Sequence, residues 1–515
     1  MKKLNRLFPL TISLFLATQV HGKTDDSNRD TKLPGNLIES YDPDTAERLL
    51  NRTVGQNGIS AIHYNHLLNE NNLSTKYNLE GGAVGDQKSS GRCWIFSGEK
   101  ILSEAVRDKW GKDFTFSRNY IAFWDKLERA NYILEKLYEY RSLGQSEQKI
   151  QNLLKLTGDG GEWELFKNTV KKYGLVPDYA MQETTFSGRT SGYNDMINKI
   201  VRHSAGLISQ LEEGHSEQDF ADLKEKTLLI IRDILISYLG TPPQFYENHP
   251  GQFYWKNPKE NKEESAIKIS SLETDEGLEQ QVELESHEEN YLQLMTPIEL
   301  LELTAVDLDD YVHIAHLPYH RHENGNAKKG WNIEVENINN MMEGEQLKAL
   351  LMDMNEIKAS IRRSIMDKCG VEIGCEMTHL DRDKSLLSVS HDLMPKIFKT
   401  DTLENLDKGS RLVCGEDVIA HGMYLLGCDD QDKCLIKNGK PGIDCPESFG
   451  PLWKVQNSWG NSNSFIYMTD YWFTEYAHSF VIKKKYLSPE MLEALEKDQV
   501  QIVPSTDPFG QVTLD

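Results

Sequence analysis

Residues 87–94 read QKSSGRCW. The octapeptide ends a Gly- and Ser-rich loop, GGAVGDQKSSG at 81–91, and sets Cys93 ahead of a helical pattern. Ile95, Gly98, Leu102 and Val106 recur at spacings of three and four, and Gly111 supplies a stop. The spacing predicts a helix of about 18 residues with Cys93 in its first turn. A thiol there feels unpaired backbone N–H groups and the helix dipole, both of which favour negative charge. That matters because the thiolate is the nucleophile. A cysteine pKa near about 8.5 falls to roughly 3.5–7.5 at a helix N-terminus or beside a cation. Read alone, Cys93 is as well explained as a buried core thiol, cysteine being among the most buried residue types.

A nucleophilic thiol needs a base that becomes its counter-ion. Among 15 histidines, His421 stands out because it opens a strand-like run, HGMYLLGC. Asn457 begins NSWG directly after another such run, LWKVQ. An asparagine carbonyl there would accept the imidazole proton that faces away from sulfur and so fix the tautomer. Trp459 would cover that hydrogen bond, and Gln87, six residues before Cys93, would donate to an oxyanion.

Gln87, Gly91, Cys93 and Trp94, then His421, then Asn457-Ser458-Trp459-Gly460 resemble the active-site motifs of papain-like cysteine peptidases. QKSSGRCW, DGGEW, KKYGLVP (171–177), NSWG, MTDYWFTEY (468–476) and DPFG (507–510) are similar, in that order, to the bleomycin hydrolase and aminopeptidase C branch. The resemblance implies an α+β, papain-like two-lobe fold, with a helical lobe, an antiparallel β lobe and large helical insertions. It implies Cys93 as nucleophile, His421 as acid/base, Asn457 as orienting residue and Gln87 as oxyanion donor. Gly160 and Gly161 would meet the substrate backbone, and no metal or organic cofactor is implied. His421 follows Cys93 by 328 residues, against roughly 130–150 in ordinary papain relatives. The surplus would be insertions used for assembly, and the resemblance implies a homohexamer. It also implies a C-terminal arm in the cleft, whose terminal carboxylate, here that of Asp515, binds the free amino group of a peptide substrate. This chain departs from that pattern: its ending beyond the DPFG motif is a few residues longer than the resemblance implies.

The 57 basic and 80 acidic residues leave a net charge of −23, which argues against general attraction to nucleic acid or anionic lipid. Residues 1–22 resemble an export signal: Lys2, Lys3 and Arg6 precede an apolar run, Leu7 to Ala17, too short to span a bilayer. A periplasmic or secreted protein beginning near Lys23, with no membrane attachment after cleavage, is expected. In an oxidising compartment disulfides are permitted among Cys369, Cys375, Cys414, Cys428, Cys434 and Cys445, in any of fifteen pairings. The run CDDQDKCLIKNGKPGIDC (428–445) lacks a CxxC pair, so a disulfide-tied hairpin is expected there before a metal site.

The expected organisation is a polar arm at 23–80, a helical lobe at 81–200, a mainly helical insertion at 201–364, a β-rich lobe at 365–487 and a final helix with arm at 488–515. The insertion carries a charge-rich, aromatic-poor stretch at 256–290. Thr296-Pro297-Ile298-Glu299 predicts a capped helix start. The expected activity is peptide hydrolysis through a thioester, most simply by an aminopeptidase. A papain-like endopeptidase, and a silent peptide-binding or assembly protein of the same fold, are the alternatives.

Overall fold

The structure, a computed structural model, describes residues 48–49, 52, 56, 73–143, 147–211, 217–245, 251–258, 270–274, 277–281, 292–321, 328–377, 380–381, 386–387, 406–429, 451–460 and 464–511. The export segment, most of the polar arm, much of 256–290, Cys434, Cys445 and Asp515 lie outside the described residues.

The first half is helical. Helix α1 (Cys93–Ala105) starts at the cysteine, and after a break at Val106 the short α2 (Arg107–Trp110) ends before Gly111. Then follow α3 (Arg118–Leu143), α4 (Glu147–Lys155), α5 (Trp163–Tyr173), α6 (Ser191–Ile208) and α7 (Glu217–Leu239). Ten of the thirteen α1 residues are buried, so this helix has no solvent face of its own. It lies between the helical layer and the sheet, touching α3 and α5 on one side. Its buried Glu99 is matched by Arg118, 2.9 Å away, and by the Phe116 N–H. A buried carboxylate is tolerable only when paired in this way.

The sheet is built mostly from the second half. Its strands are β1 (Tyr77–Asn78), β6 (Tyr311–Ala315), β7 (Asn332–Val335), β8 (Lys348–Leu351), β9 (Val371–Cys375), β10 (Leu380–Asp381), β11 (Leu386–Leu387), β12 (His421–Cys428), β13 (Leu452–Gln456), β14 (Phe465–Thr469), β15 (Ala477–Lys483) and β16 (Val500–Val503). Strands β2 to β5 form two separate hairpin-like pairs between Phe253 and Met295. The order is β10-β11-β14-β13-β12-β9-β15-β6-β8-β7-β16, with β1 on β12, and most neighbours are antiparallel. At the centre, His421 pairs with Cys375 and Gly422 with Gly374, while Ser479 pairs with Gly374 on the other side. Helix α8 (Pro297–Thr304) has the expected capping box: Thr296 accepts from the Glu299 N–H, and Glu299 accepts from the Thr296 N–H.

One expectation is corrected. Residues 311–351, assigned above to a mainly helical insertion, supply β6, β7 and β8 to the main sheet. All five residues of β6 are buried, so no alternation of apolar and polar residues marks it, and β7 and β8 are only four residues long. Among the cysteines, Cys93, Cys369, Cys375 and Cys414 are free thiols.

Candidate active site

Cys93 is the first residue of α1 because the preceding loop cannot continue the helix and is held elsewhere. Asp159 fixes that loop. Its carboxylate accepts from the Gly91 N–H at 3.1 Å, its carbonyl accepts from Trp94 Nε1 at 2.7 Å, and Lys126 pairs with it at 2.8 Å. Burial opposes the Asp159 charge, but Lys126, Thr190 and Asn194 outweigh it and hold the carboxyl well below the usual range. Arg92 forks onto both oxygens of Glu183, at 3.1 and 2.8 Å.

The loop is also tied to the β lobe. The Gln87 N–H donates to the Ser458 carbonyl at 2.7 Å, and the Gly460 N–H to the Gly85 carbonyl at 3.1 Å. Ser458 Oγ donates to Gln87 Oε1, and Gln87 Nε2 donates to the Ser90 carbonyl at 2.7 Å. One N–H of the Gln87 amide is therefore used to shape the loop and one remains.

His421 opens β12, and Asn457 follows β13. His421 Nε2 and Asn457 Oδ1 are 2.7 Å apart, and the same oxygen accepts the Ser458 N–H at 2.8 Å. A carbonyl oxygen can only accept, so Nε2 carries the proton and Nδ1 is the ring nitrogen left for chemistry. The Trp459 ring lies 5.0 Å from the His421 ring, tilted against it by 32°.

Cys93 and His421 line one cavity of about 260 Å³, together with Gly160, Gly161, Glu162 and Glu372. Gln87, Asn457 and Trp459 do not line it; they stand behind it. A side chain on Gly161 would put Cβ 2.5 Å from the Trp94 ring, so this glycine is required by packing as well as by its place on the cavity wall. At Gly422 a Cβ would come 3.4 Å from the Trp94 nitrogen, which is how β12 approaches the head of α1.

Burial pushes the Cys93 thiol up to about 11, although the N–H groups of Gly422 and Trp94 favour its anion. Burial likewise holds His421 down to about 4, against the bond from Asn457. Each charge alone is disfavoured, so the resting pair is neutral.

Sequence reasoning missed a buried acid cluster against this cavity. His313 Nδ1 lies 3.0 Å from Glu164, and its Nε2 lies 3.8 Å from Glu162. Glu372 accepts from Ser97 Oγ at 2.8 Å. Glu162 sits inside the quoted DGGEW motif, which was read only for its glycines. Phe509, fully buried, packs its ring 5.4 Å from that of His313, so the DPFG segment docks next to the cluster.

The Peptidase C1-like family model matches residues 30–275 and 278–510. Aminopeptidase C of Listeria monocytogenes serovar 1/2a is 28% identical over 440 residues, covering 84% of this chain and 86% of that protein. Human bleomycin hydrolase is 26% identical over 446 residues, with coverage of 84% and 86%. Among solved structures, PepW from Lactobacillus rhamnosis overlays with a TM-score of 0.74 at 26% identity, over 94% of this chain and 99% of that one.

Proposed function

Because the chain belongs to the Peptidase C1-like family, whose model spans nearly all of it, we propose that this cysteine-type peptidase is an aminopeptidase working through Cys93, His421 and Asn457. The observation that carries the reading is the 2.7 Å bond between His421 Nε2 and Asn457 Oδ1 behind a cavity that Cys93 and His421 share. The Cys93 sulfur, after losing its proton to His421 Nδ1, attacks the peptide carbonyl carbon. The free N–H of the Gln87 amide and the Cys93 backbone N–H hold the oxyanion. The C–N bond breaks as His421 protonates the leaving amine, which leaves a thioester on sulfur. His421 then takes a proton from water, whose oxygen displaces the sulfur and releases the acid.

Aminopeptidase action is supported by the relatives named aminopeptidase C and by where the tail is anchored. Phe509 abuts His313, which faces Glu162 on the cavity wall. The four residues beyond Gln511 reach at most about 14 Å, a span suited to bringing the Asp515 carboxylate to a substrate amino group. Export through residues 1–22 and assembly as a hexamer belong to the same proposal; N-terminal sequencing of exported protein and sedimentation test them.

A thiol-reactive peptide epoxide is expected to label the protein, and Cys93→Ala to abolish the label. Peptides with free N-termini are expected to be cut and acetylated ones spared, with removal of residues 512–515 relaxing that rule. Equal cleavage of acetylated peptides by the intact chain would overturn the aminopeptidase reading.

A further inference from the structure

The cavity beside Cys93 has an unusual wall. Glu162, at the N-terminal edge of α5, and Glu372, on β9, both line it and are 8% and 5% exposed. Glu372 spends one oxygen on Ser97; the other, Oε2, is buried with no hydrogen-bond partner. Among the described residues no lysine or arginine pairs with either carboxylate, and Glu162 has only His313 at 3.8 Å. His313 is engaged more closely by Glu164 at 3.0 Å, and its own Nε2 makes no hydrogen bond. Three carboxylates thus face one imidazole. Three other buried acids are matched by a cation: Glu99 by Arg118, Asp125 by Arg129, Asp159 by Lys126. Among the described residues, Glu162 and Glu372 lack such a partner where they border the cavity. Apolar side chains of Ile373, Ile419, Phe480 and Val481 also line it.

An apolar slot with an unpaired carboxylate at its wall fits a ligand with an aliphatic body and a cationic tip. Burial raises Glu162 to about 7 and Glu372 to about 8, the latter with help from Glu162 and Glu164 against His313. An arriving cation supplies what those groups lack.

We infer that the cavity is a cation-binding subsite, in which Glu162 and Glu372 take a protonated nitrogen of the peptide substrate, an ammonium or guanidinium group, beside the Cys93 sulfur. The inference rests on the peptidase reading and specifies its substrate class. Two sources carry this chemistry: a Lys or Arg side chain and the free N-terminus.

The test uses the full chain with lysyl, arginyl and norleucyl aminomethylcoumarin amides, each also in Nα-acetylated form. A side-chain cation predicts kcat/KM at least about tenfold higher for lysyl and arginyl than for norleucyl compounds with free N-termini. An N-terminal cation predicts equal rates for lysyl and norleucyl compounds and a loss of about tenfold or more on acetylation. In either case Glu372→Gln and Glu162→Gln shrink the ratio toward one, mostly through KM. Turnover that is indifferent to both charges overturns the inference and leaves the peptidase reading intact. So does a charge preference that neither glutamine variant moves. Calorimetry on Cys93→Ala with lysinamide, norleucinamide and their acetylated forms needs no turnover. Charge-selective binding by a protein whose parent hydrolyses nothing keeps the subsite and removes the peptidase reading.

Discussion

Replacing Glu372 by glutamine is expected to make the protein more stable in mild alkali and to change little in acid. In the folded chain burial, then the neighbouring Glu162 and Glu164, raise the Glu372 carboxyl from its ordinary 4.5 to about 8, against the opposing bond from Ser97 and the charge of His313. The unfolded chain ionises near the ordinary value. Between those two values the folded state therefore binds about one proton more, and stability falls as pH rises, by about 1.36 kcal/mol per unit. The fall is complete once the pH passes the folded value, and amounts to roughly 4–5 kcal/mol for this group. Glutamine cannot ionise, keeps an oxygen to accept from Ser97 Oγ, and so lacks the fall. His313 also loses stabilisation with rising pH, because Glu164 and Glu162 hold it at about 9 despite burial. Glu164 and Glu162, the larger of those causes, remain in both proteins, whereas the smaller Glu372 contribution to His313 goes with the substitution. The assay is thermal or urea unfolding of the parent and Glu372→Gln at pH 5, 7 and 9. Midpoints that coincide at pH 5 and separate increasingly by pH 9, with the variant higher, are expected. A constant separation, or a variant less stable at pH 9, refutes the reasoning.

Asn457→Ala leaves two donors, His421 Nε2–H and the Ser458 N–H, without their acceptor. At about 1–3 kcal/mol for a stranded buried donor, kcat/KM is expected to drop roughly 5- to 150-fold, with KM the lesser part; steady-state kinetics decide it. Gly161→Ala drives a Cβ into the Trp94 ring; overpacking of this kind costs about 1–3 kcal/mol, read as a lower unfolding midpoint and altered tryptophan emission. Asp159→Asn leaves the buried Lys126 ammonium without its counter-ion, so a loss of about 3–5 kcal/mol is expected. Chemical denaturation measures it, and a change below about 1 kcal/mol would mean the pair is dispensable.

What the sequence disclosed depended on local punctuation. Helix α1 was legible because a Gly- and Ser-rich loop, a helical period and Gly111 bracket it; the structure breaks it at Val106, a detail no period reveals. Strands β12 and β13 were legible because Gly, Asn and Asp bound their β-branched and aromatic runs. Strand β6 was not, because a strand buried on both faces reads as a plain apolar run. Cys93, His421 and Asn457 were nominated through the motifs around them; Cys93 and His421 line one cavity, and Asn457 bonds His421 from outside its lining. Glu372 and His313 carry no motif. Their signal was a charged or titratable residue inside the short apolar runs VEIGC and YVHIA, where an ionisable group needs a reason to be buried. Only the folded pairing of β6, β9 and β15 brings those two residues to the base of α5.

Phe509 is the plug whose absence would be felt at once. It is wholly enclosed and abuts His313, while Asp507 just before it accepts the Tyr319 hydroxyl at 2.8 Å and faces His320 Nε2 at 3.2 Å. The segment 507–511 therefore packs against residues that come much earlier in the chain. Truncating Phe509 to alanine is expected to leave a void against the His313 ring rather than a merely looser tail.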